Sequence, residues 1–315
     1  MDVSIIIVNY NTISLLVNTV DSVFEKTEGV EYEIIVVDNN SSDNSKNILA
    51  EKYGYKITYI ALSENIGFGR ANNEGAKIAK GKNLFFLNPD TILLNNAVKI
   101  LSDFLDSNPR VGCCGGNLFD ADGRSTHSFA RFFTPSIFEI FDVLFKNLPK
   151  KIIYRRNIEF NYTNKPLKVC YITGADLMIR SNIFNKLNGF DPDFFMYYEE
   201  VELEYRIRKS GCYIFNVPYA KIIHLEGKSF QNDYKKIDIF FISQKIFIKK
   251  VYNSAIILII FIFFHSLIIS RMLIFFLKNE KRSYWIGKYK LLVENKKKSL
   301  IYSIQEYIKS NFYEK

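Results

Sequence analysis

The sequence predicts an α/β protein built on a mostly parallel sheet flanked by helices. Three observations carry that prediction. Residues 3–8 (VSIIIV), 33–37 (EIIVV) and 84–87 (LFFL) are apolar almost throughout, as strands buried on both faces are. The segment between the first two has helical spacing. Each run stops at polar residues: Asn9, Asp38 and Asn88-Pro89-Asp90. In an open α/β sheet, ligands bind outside that carboxyl edge.

In chain order, the strand at 3–8 ends in Asn9-Tyr10-Asn11-Thr12. Leu15, Leu16, Thr19, Val20 and Val23 then mark a helix over 14–24. The strand at 33–37 completes a right-handed βαβ unit. Asp38 stands at its tip, where nucleotide folds commonly present a carboxylate to a ribose or base. Ser42 or Asp43 can cap the next helix. The first strand is not followed by a GxGxxG turn, which argues against a dinucleotide cofactor. Residues 56–61 form a modest strand leading into Ser63-Glu64-Asn65-Ile66-Gly67-Phe68-Gly69-Arg70-Ala71-Asn72. Gly67 and Gly69 let the backbone approach a ligand. The Arg70 guanidinium suits a diphosphate. A helix over 71–79 feeds the strand at 84–87.

Pro89 has no N–H to give a neighbouring strand, so the ladder ends there. Asp90, followed by Thr91, then emerges with oxygen ligands suited to a divalent cation, although Asn-Pro-Asp is also a common turn. A helix over 95–105 and a glycine-interrupted strand over 111–118 follow. Asp120-Ala121-Asp122-Gly123 is a hairpin turn. Between 124 and 168 the pattern is weak. Phe132, Phe133, Phe138, Phe141 and Phe145 alternate with basic residues, as in a membrane-facing or acceptor-side flap, or an irregular packed segment. A strand at 169–172 runs into Gly174-Ala175, which leave room beside a ligand. Residues 177–180 follow, then a turn at 189–193 and an aromatic run up to a helix beginning near Glu199. Acidic residues suit a first helical turn. A carboxylate under aromatics is also a candidate general base. Strand-like segments at 212–217 and 220–223 end at His224, which paired with Asp90 is a candidate metal ligand.

The formal charge is +9, which points to anionic partners. Lys245, Lys249, Lys250, Lys278, Lys281, Arg282 and further lysines crowd the last quarter, beside the apolar run 251–277. That favours a membrane surface over nucleic acid, and the stacking aromatics of an RNA module are not evident. Cys113, Cys114, Cys170 and Cys212 have no metal spacing and read as small apolar residues in a reducing compartment. The chain opens on a strand without a basic leader, which predicts a cytosolic catalytic part. The run 251–277 is long enough for the roughly twenty residues of a spanning helix. Arg271 within it, and lysines at both ends, favour a shallow or re-entrant anchor, ahead of a single crossing or a buried hairpin.

Together the motifs VNYNT, VVDNNSSDNS, ENIGFGRANNEG, LNPDT, GAD, GFDPDFFMYYEEVEL and HLEG resemble glycosyltransferase family 2, in the family's order from about residue 3 to 230. The GFGRANN-to-NPDT arrangement is most similar to rhamnosyltransferase-like members. The resemblance implies a GT-A-type, Rossmann-like mostly parallel sheet over 1–235, with an apolar helical membrane-associating region over 236–315. It implies an inverting transfer, of L-rhamnose from dTDP-rhamnose, to a lipid-linked saccharide at the cytoplasmic face of the cell membrane. Asp38 with Asn9 and Asn11 would meet the nucleoside. Asn65, Gly67, Arg70 and Asn72 would line the donor pocket. Asn88-Pro89-Asp90 occupies the family's DxD place, with Asn88 replacing the first Asp. Asp90 and His224 would hold Mg²⁺ or Mn²⁺. The Glu199-Glu200 pair stands where the family has Glu-Asp, and Glu200, one methylene longer, holds the base position. The alternatives are a UDP-sugar-dependent transferase, a nucleotidyltransferase and a non-catalytic nucleotide-binding protein.

Overall fold

The computed structural model describes residues 1–131, 159–225 and 233–252. The first half runs β1 (Val3–Asn9), α1 (Ile13–Lys26), β2 (Tyr32–Asp38), α2 (Ser45–Tyr53), β3 (Thr58–Ala61), α3 (Phe68–Ile78), β4 (Asn83–Leu87), β5 (Thr91–Leu93), α4 (Ala97–Ser107) and β6 (Val111–Phe119). The short strands β7 (Phe129–Ala130), β8 (Leu167–Lys168) and β9 (Tyr171–Ile172) follow. Then come β10 (Asp176–Arg180), α5 (Ser181–Lys186), α6 (Glu199–Lys209), β11 (Tyr213–His224) and α7 (Asp233–Val251). The residues described up to Ser243 form one compact unit, and those from Gln244 on belong to a second. The expected boundary at 235 falls inside α7.

The main sheet has the order β3-β2-β1-β4-β10-β6-β11-β5, with β8 on β11. Strands β3, β2, β1 and β4 are mutually parallel. β10 then enters antiparallel between β4 and β6, and β5 pairs antiparallel with β11. The sheet is therefore mixed, which corrects the mostly parallel expectation. A doubly buried apolar run such as that of β10 has no alternation to read. Its direction is set by the connections.

The strands do divide their side chains between two faces. Ile5, Ile7, Ile34, Val36, Phe85 and Leu87 pack with Leu16, Val20 and Val23 of α1 and Val98, Leu101 and Leu105 of α4. Ile6, Val8, Ile35, Val37, Leu84 and Phe86 pack with Ala71 of α3 and Leu203 and Ile207 of α6. Each such side chain stabilises the fold by about 1.5–3 kcal/mol. Gly75 brings α3 close to the sheet, since a Cβ there would lie 2.6 Å from Ile6 Cγ2.

Other segments differ locally. β5 had no counterpart in the sequence reading, because three residues between a turn and a helix carry no period. The two predicted segments at 212–217 and 220–223 are one strand, with a register shift between Asn216 and Lys221. The predicted hairpin at Asp120–Gly123 forms, with Gly123 N–H donating to Asp120 O. All four cysteines are free thiols. Among the described residues no helix is long and apolar enough to cross a membrane. The flap at 132–158, the HLEG turn beyond Leu225 and the apolar run from 253 lie outside the described residues.

Candidate active site

The site begins where β4 ends. Leu87 pairs with Asp176 across the β4–β10 ladder, so the turn before β10 arrives at the carboxyl rim beside Asn88. Asn88 N–H donates to Ala175 O at 3.0 Å. Pro89 ends the ladder as expected. The turn is braced from α1, where the Thr19 hydroxyl lies 2.8 Å from Pro89 O and 2.7 Å from Thr91 O. The Thr91 hydroxyl donates to Asn88 O at 2.8 Å.

The unpredicted β5 is what joins the two metal candidates. Thr91 pairs with His224 in the β5–β11 ladder, and Leu225 N–H donates to Asp90 O at 2.9 Å. His224 Nε2 thereby comes to 3.3 Å from Asp90 Oδ1, with both side chains mostly buried. Asn88 Nδ2 lies 3.5 Å from the same imidazole nitrogen, while Asn88 Oδ1 is buried without a hydrogen-bond partner. Among the described residues no group of three His, Cys, Asp or Glu could hold a metal. The donor set is one carboxylate, one imidazole and one unsatisfied amide oxygen, a combination that suits Mg²⁺ or Mn²⁺ once substrate oxygens are added. A buried acceptor without a partner is costly, and a cation would satisfy it.

The paired glutamates open α6. Glu202 and Glu204 of that helix are structural. Glu202 is held by Arg206 at 2.7–2.9 Å. Glu204 accepts from Ile172 N–H at 3.0 Å. Glu199 is buried against Gly69 of α3, and its Oε2 has no hydrogen-bond partner. Glu200 lies against Gly174, where a Cβ would sit 3.5 Å from the Glu200 carboxyl carbon. Since the adjacent Ala175 O accepts Asn88 N–H, the glycine that makes room for Glu200 is one residue from the backbone link to the turn that carries Asp90.

Burial raises both carboxyls. Glu199 is pushed well above the usual range by burial and then by the neighbouring Glu200 charge. Glu200 is raised by burial, against which backbone N–H groups, Gly174 among them, and the charge of His127 pull downward. Both carboxyls therefore keep their protons to higher pH than an ordinary glutamate does.

On the nucleotide side, Asn9 and Asp38 are register partners at the tips of β1 and β2. Asn9 Nδ2 donates to Asp38 Oδ2 at 2.8 Å and also contacts Ser41 and Ser45. Its Oδ1 accepts from the Thr12 hydroxyl. The Asn9 amide is thus occupied within the protein, and it aims Asp38. Asn11, with φ +55°, accepts from Ser42 N–H at 2.7 Å. Asp43 accepts from Ser45 N–H of α2 and also from Ile13 N–H of α1.

In the glycine loop, Asn65 Oδ1 accepts from Asn39 Nδ2 and Gly67 N–H. Gly67 has φ +91°, and a Cβ there would lie 2.3 Å from Phe195 O, so only glycine fits. Arg70 Nε donates to Pro192 O at 2.7 Å. Buried Asn72 donates to Phe68 O. Gly67 and Arg70 therefore lie where α3 meets the 190–195 segment, with Asn65 just before Gly67 and Asn72 inside α3.

The sequence reading missed two residues here. Asn73 exchanges two hydrogen bonds with the Phe190 backbone and docks α3 on the GFDPD turn. Its place in an Asn-Asn pair gave no signal. His127 bonds Glu159 at 3.0 Å and acts on Glu200. It falls in the stretch without periodicity, where nothing in the sequence singled it out.

The mixed sheet, with its parallel strand tips and flanking helices, is a GT-A-like α/β fold. The family model for glycosyl transferase family 2 matches residues 4–187. The chain belongs to that family, and is a glycosyltransferase enzyme. It is 24% identical over 214 residues to N-acetylglucosaminyl-diphospho-decaprenol L-rhamnosyltransferase of Mycobacterium tuberculosis, covering 64% of this chain and 68% of that one. It is 29% identical over 205 residues to the rhamnosyltransferase WbbL of Escherichia coli K12, covering 61% and 72%. Among solved structures, GalNAc-T7 with UDP, GalNAc and Mn²⁺ superposes with a TM-score of 0.59 at 18% identity, over 81% of this chain and 48% of that one. The Pyrobaculum calidifontis mannosyltransferase with GDP-Man and Mn²⁺ gives 0.53 at 14%, over 80% and 65%. The chain spans about half of the first of these structures, and the likeness is one of fold.

Proposed function

We propose that this glycosyltransferase moves a sugar, L-rhamnose from dTDP-rhamnose, to a lipid-linked saccharide with inversion at the anomeric carbon. The observation that carries the reading is the 3.3 Å approach of His224 to Asp90 beside the unsatisfied Asn88 Oδ1, on a turn hydrogen-bonded to Ala175, whose neighbour Gly174 lies against Glu200. Rhamnosyl transfer is supported by the two rhamnosyltransferases among the relatives. A lipid diphosphate acceptor is supported by the name of the first. A UDP-sugar donor is the second reading, favoured by the UDP-bound structural relative.

In this reading Asp38 meets the nucleoside, with Asn9 and Asn11 shaping its turn. Arg70, tied to Pro192 through Nε, keeps its other N–H groups for the diphosphate. Asn65, Gly67 and Asn72 form the donor-side wall. Asp90, His224 and Asn88 Oδ1 would hold Mg²⁺ or Mn²⁺, which when bound neutralises charge on the departing diphosphate.

Glu200 is the base. The acceptor hydroxyl gives its proton to the Glu200 carboxylate. Its oxygen then attacks the anomeric carbon from the face opposite the leaving nucleoside diphosphate. That bond breaks with its electron pair on the diphosphate oxygen, and the centre inverts. Base catalysis of this kind contributes about 10²- to 10⁴-fold.

The basic, apolar region beyond 236 would associate with the cytoplasmic membrane surface, close to a lipid-linked acceptor. The test is a donor panel of dTDP-, UDP- and GDP-sugars with Mg²⁺ or Mn²⁺, read by thermal shift and by transfer to polyprenyl-diphospho-N-acetylglucosamine. A shift and turnover with dTDP-rhamnose is expected, because a ligand that binds the native state raises its melting temperature. Turnover with a UDP-sugar alone would replace the donor assignment.

A further inference from the structure

The residues just ahead of the paired glutamates have unusual backbone geometry. Tyr197 and Tyr198 have φ values of +69° and +68°. Two bulky aromatics in succession in the left-handed region are disfavoured sterically. Such geometry persists only where the surroundings enforce it, and it clusters at functional positions. Tyr198 precedes the first turn of α6 directly, and its carbonyl accepts Glu202 N–H at 2.9 Å. The direction in which Glu199 and Glu200 leave the backbone is therefore set by this turn.

Two sets of contacts hold it. On the upstream side, Phe195 O accepts Phe68 N–H of α3 at 2.8 Å. On the other side stands α7, remote in sequence and absent from every motif. The Ser243 hydroxyl donates to Met196 O at 2.6 Å. The Phe240 ring meets Tyr197 at 5.8 Å and Tyr198 at 5.2 Å between centroids, in edge-on and tilted arrangements that aromatic pairs favour. One helix face thus grips three consecutive residues, two of them in the disfavoured conformation.

We infer that Phe240 and Ser243 of α7 are positioning residues for Glu200, holding the Met196–Tyr198 turn in the geometry that aims the base at the acceptor hydroxyl. The inference rests on the proposed reading of Glu200 as base. It makes α7, which leads into the basic and apolar C-terminal region, part of the apparatus of proton transfer. Both side chains contact the Met196–Tyr198 turn. They act through the turn, so their loss should appear in the chemical step rather than in donor binding.

The experiment compares Phe240→Ala, Ser243→Ala, Ser243→Thr and the double alanine variant in the full chain. Transfer is measured from the nucleotide-sugar selected by the donor panel to polyprenyl-diphospho-N-acetylglucosamine, well below each melting temperature. Misplacement of a catalytic group by about 1 Å costs up to about a hundredfold, so kcat should fall about tenfold to a hundredfold in the double variant. KM for the donor should stay within about twofold, as expected when only an interaction of the transition state is lost. Ser243→Thr, which keeps the hydroxyl, should restore the loss seen in Ser243→Ala. Adding Tyr198→Gly to Phe240→Ala should recover part of kcat, because glycine adopts positive φ without the steric cost.

A double variant with parental kcat, or one that changes donor KM alone, overturns the inference. Glu200→Gln separates the two readings. If it keeps full activity, the base assignment fails and this inference with it. If it is inactive while the double variant turns over normally, the positioning role alone fails. Should the double variant not fold, Ser243→Ala, which deletes one hydroxyl, decides the matter by the same kcat criterion.

Discussion

Gly67→Ala is the substitution whose consequence can be worked most directly from the structure. Gly67 has φ +91°, and a Cβ there would stand 2.3 Å from Phe195 O, 2.8 Å from Phe195 Cδ2 and 3.0 Å from Phe195 C. Two costs follow. The first is conformational, about 1–2 kcal/mol for an L-residue in the left-handed region. The second is the clash, which is with backbone and cannot be relieved by a rotamer. Phe195 must retreat by about 1 Å to reach ordinary contact distance. That retreat weakens the Phe68–Phe195 backbone hydrogen bond of 2.8 Å, worth about 0.5–1.5 kcal/mol net, and disturbs a packed aromatic. These come to about 1.5–3.5 kcal/mol before the disturbed packing is counted, at the upper end of what single substitutions cost. Gly123→Ala is the internal control. Gly123 has φ +76° and nothing within 4 Å of its would-be Cβ, so it bears the conformational cost alone. Urea midpoints at unchanged m-value report both. Gly67→Ala should also lose activity beyond its stability loss, since Phe195 lies just ahead of the turn that launches Glu199 and Glu200. Equal destabilisation by the two alanines, within about 0.5 kcal/mol, would refute the clash argument, since scatter of that size is ordinary for surface sites.

Further outcomes are expected. Glu200→Gln should lower kcat by about 10²- to 10⁴-fold with little change in melting temperature, whereas Glu199→Gln should be far milder, because the Glu199 side chain packs against Gly69 of α3 and only Glu200 lies against the Gly174 turn. The acid limb of the kcat/KM profile should lie above the pH at which an ordinary glutamate titrates, since burial raises Glu200 and the base works only when ionised. Asp90→Ala should abolish transfer, and His224→Ala should raise the Mn²⁺ concentration needed for half-maximal rate, measured after chelation and stepwise metal addition. Asp176 is fully buried, with its carboxyl raised well above the ordinary range by burial. Its folded form holds the proton longer than the unfolded one, so its contribution is complete below the unfolded pKa and is lost as pH rises through the folded value. Asp176→Asn should remove that decline, and unfolding midpoints of parent and variant should therefore diverge with rising pH.

Much of the candidate site could be picked out in the sequence because its parts mark themselves chemically. Strand tips announce themselves as apolar runs ended by polar residues, which is how Asn9, Asp38 and Asp90 were found. Asn73 and His127 were not, because an asparagine inside a helix and a histidine in an aperiodic stretch look alike whether they dock a turn, face a carboxylate or meet solvent.

The sequence by itself determined the doubly buried strands, the helices between them, the carboxylate at the rim and the acidic start of α6, because each is written in local period or composition. Only the tertiary structure decided that β10 runs antiparallel, that β5 carries Asp90 to His224, and that α7 braces the turn ahead of Glu200. Strand direction, a three-residue strand and a contact between residues far apart in sequence leave no local trace. They are fixed by which connections close and which side chains then meet.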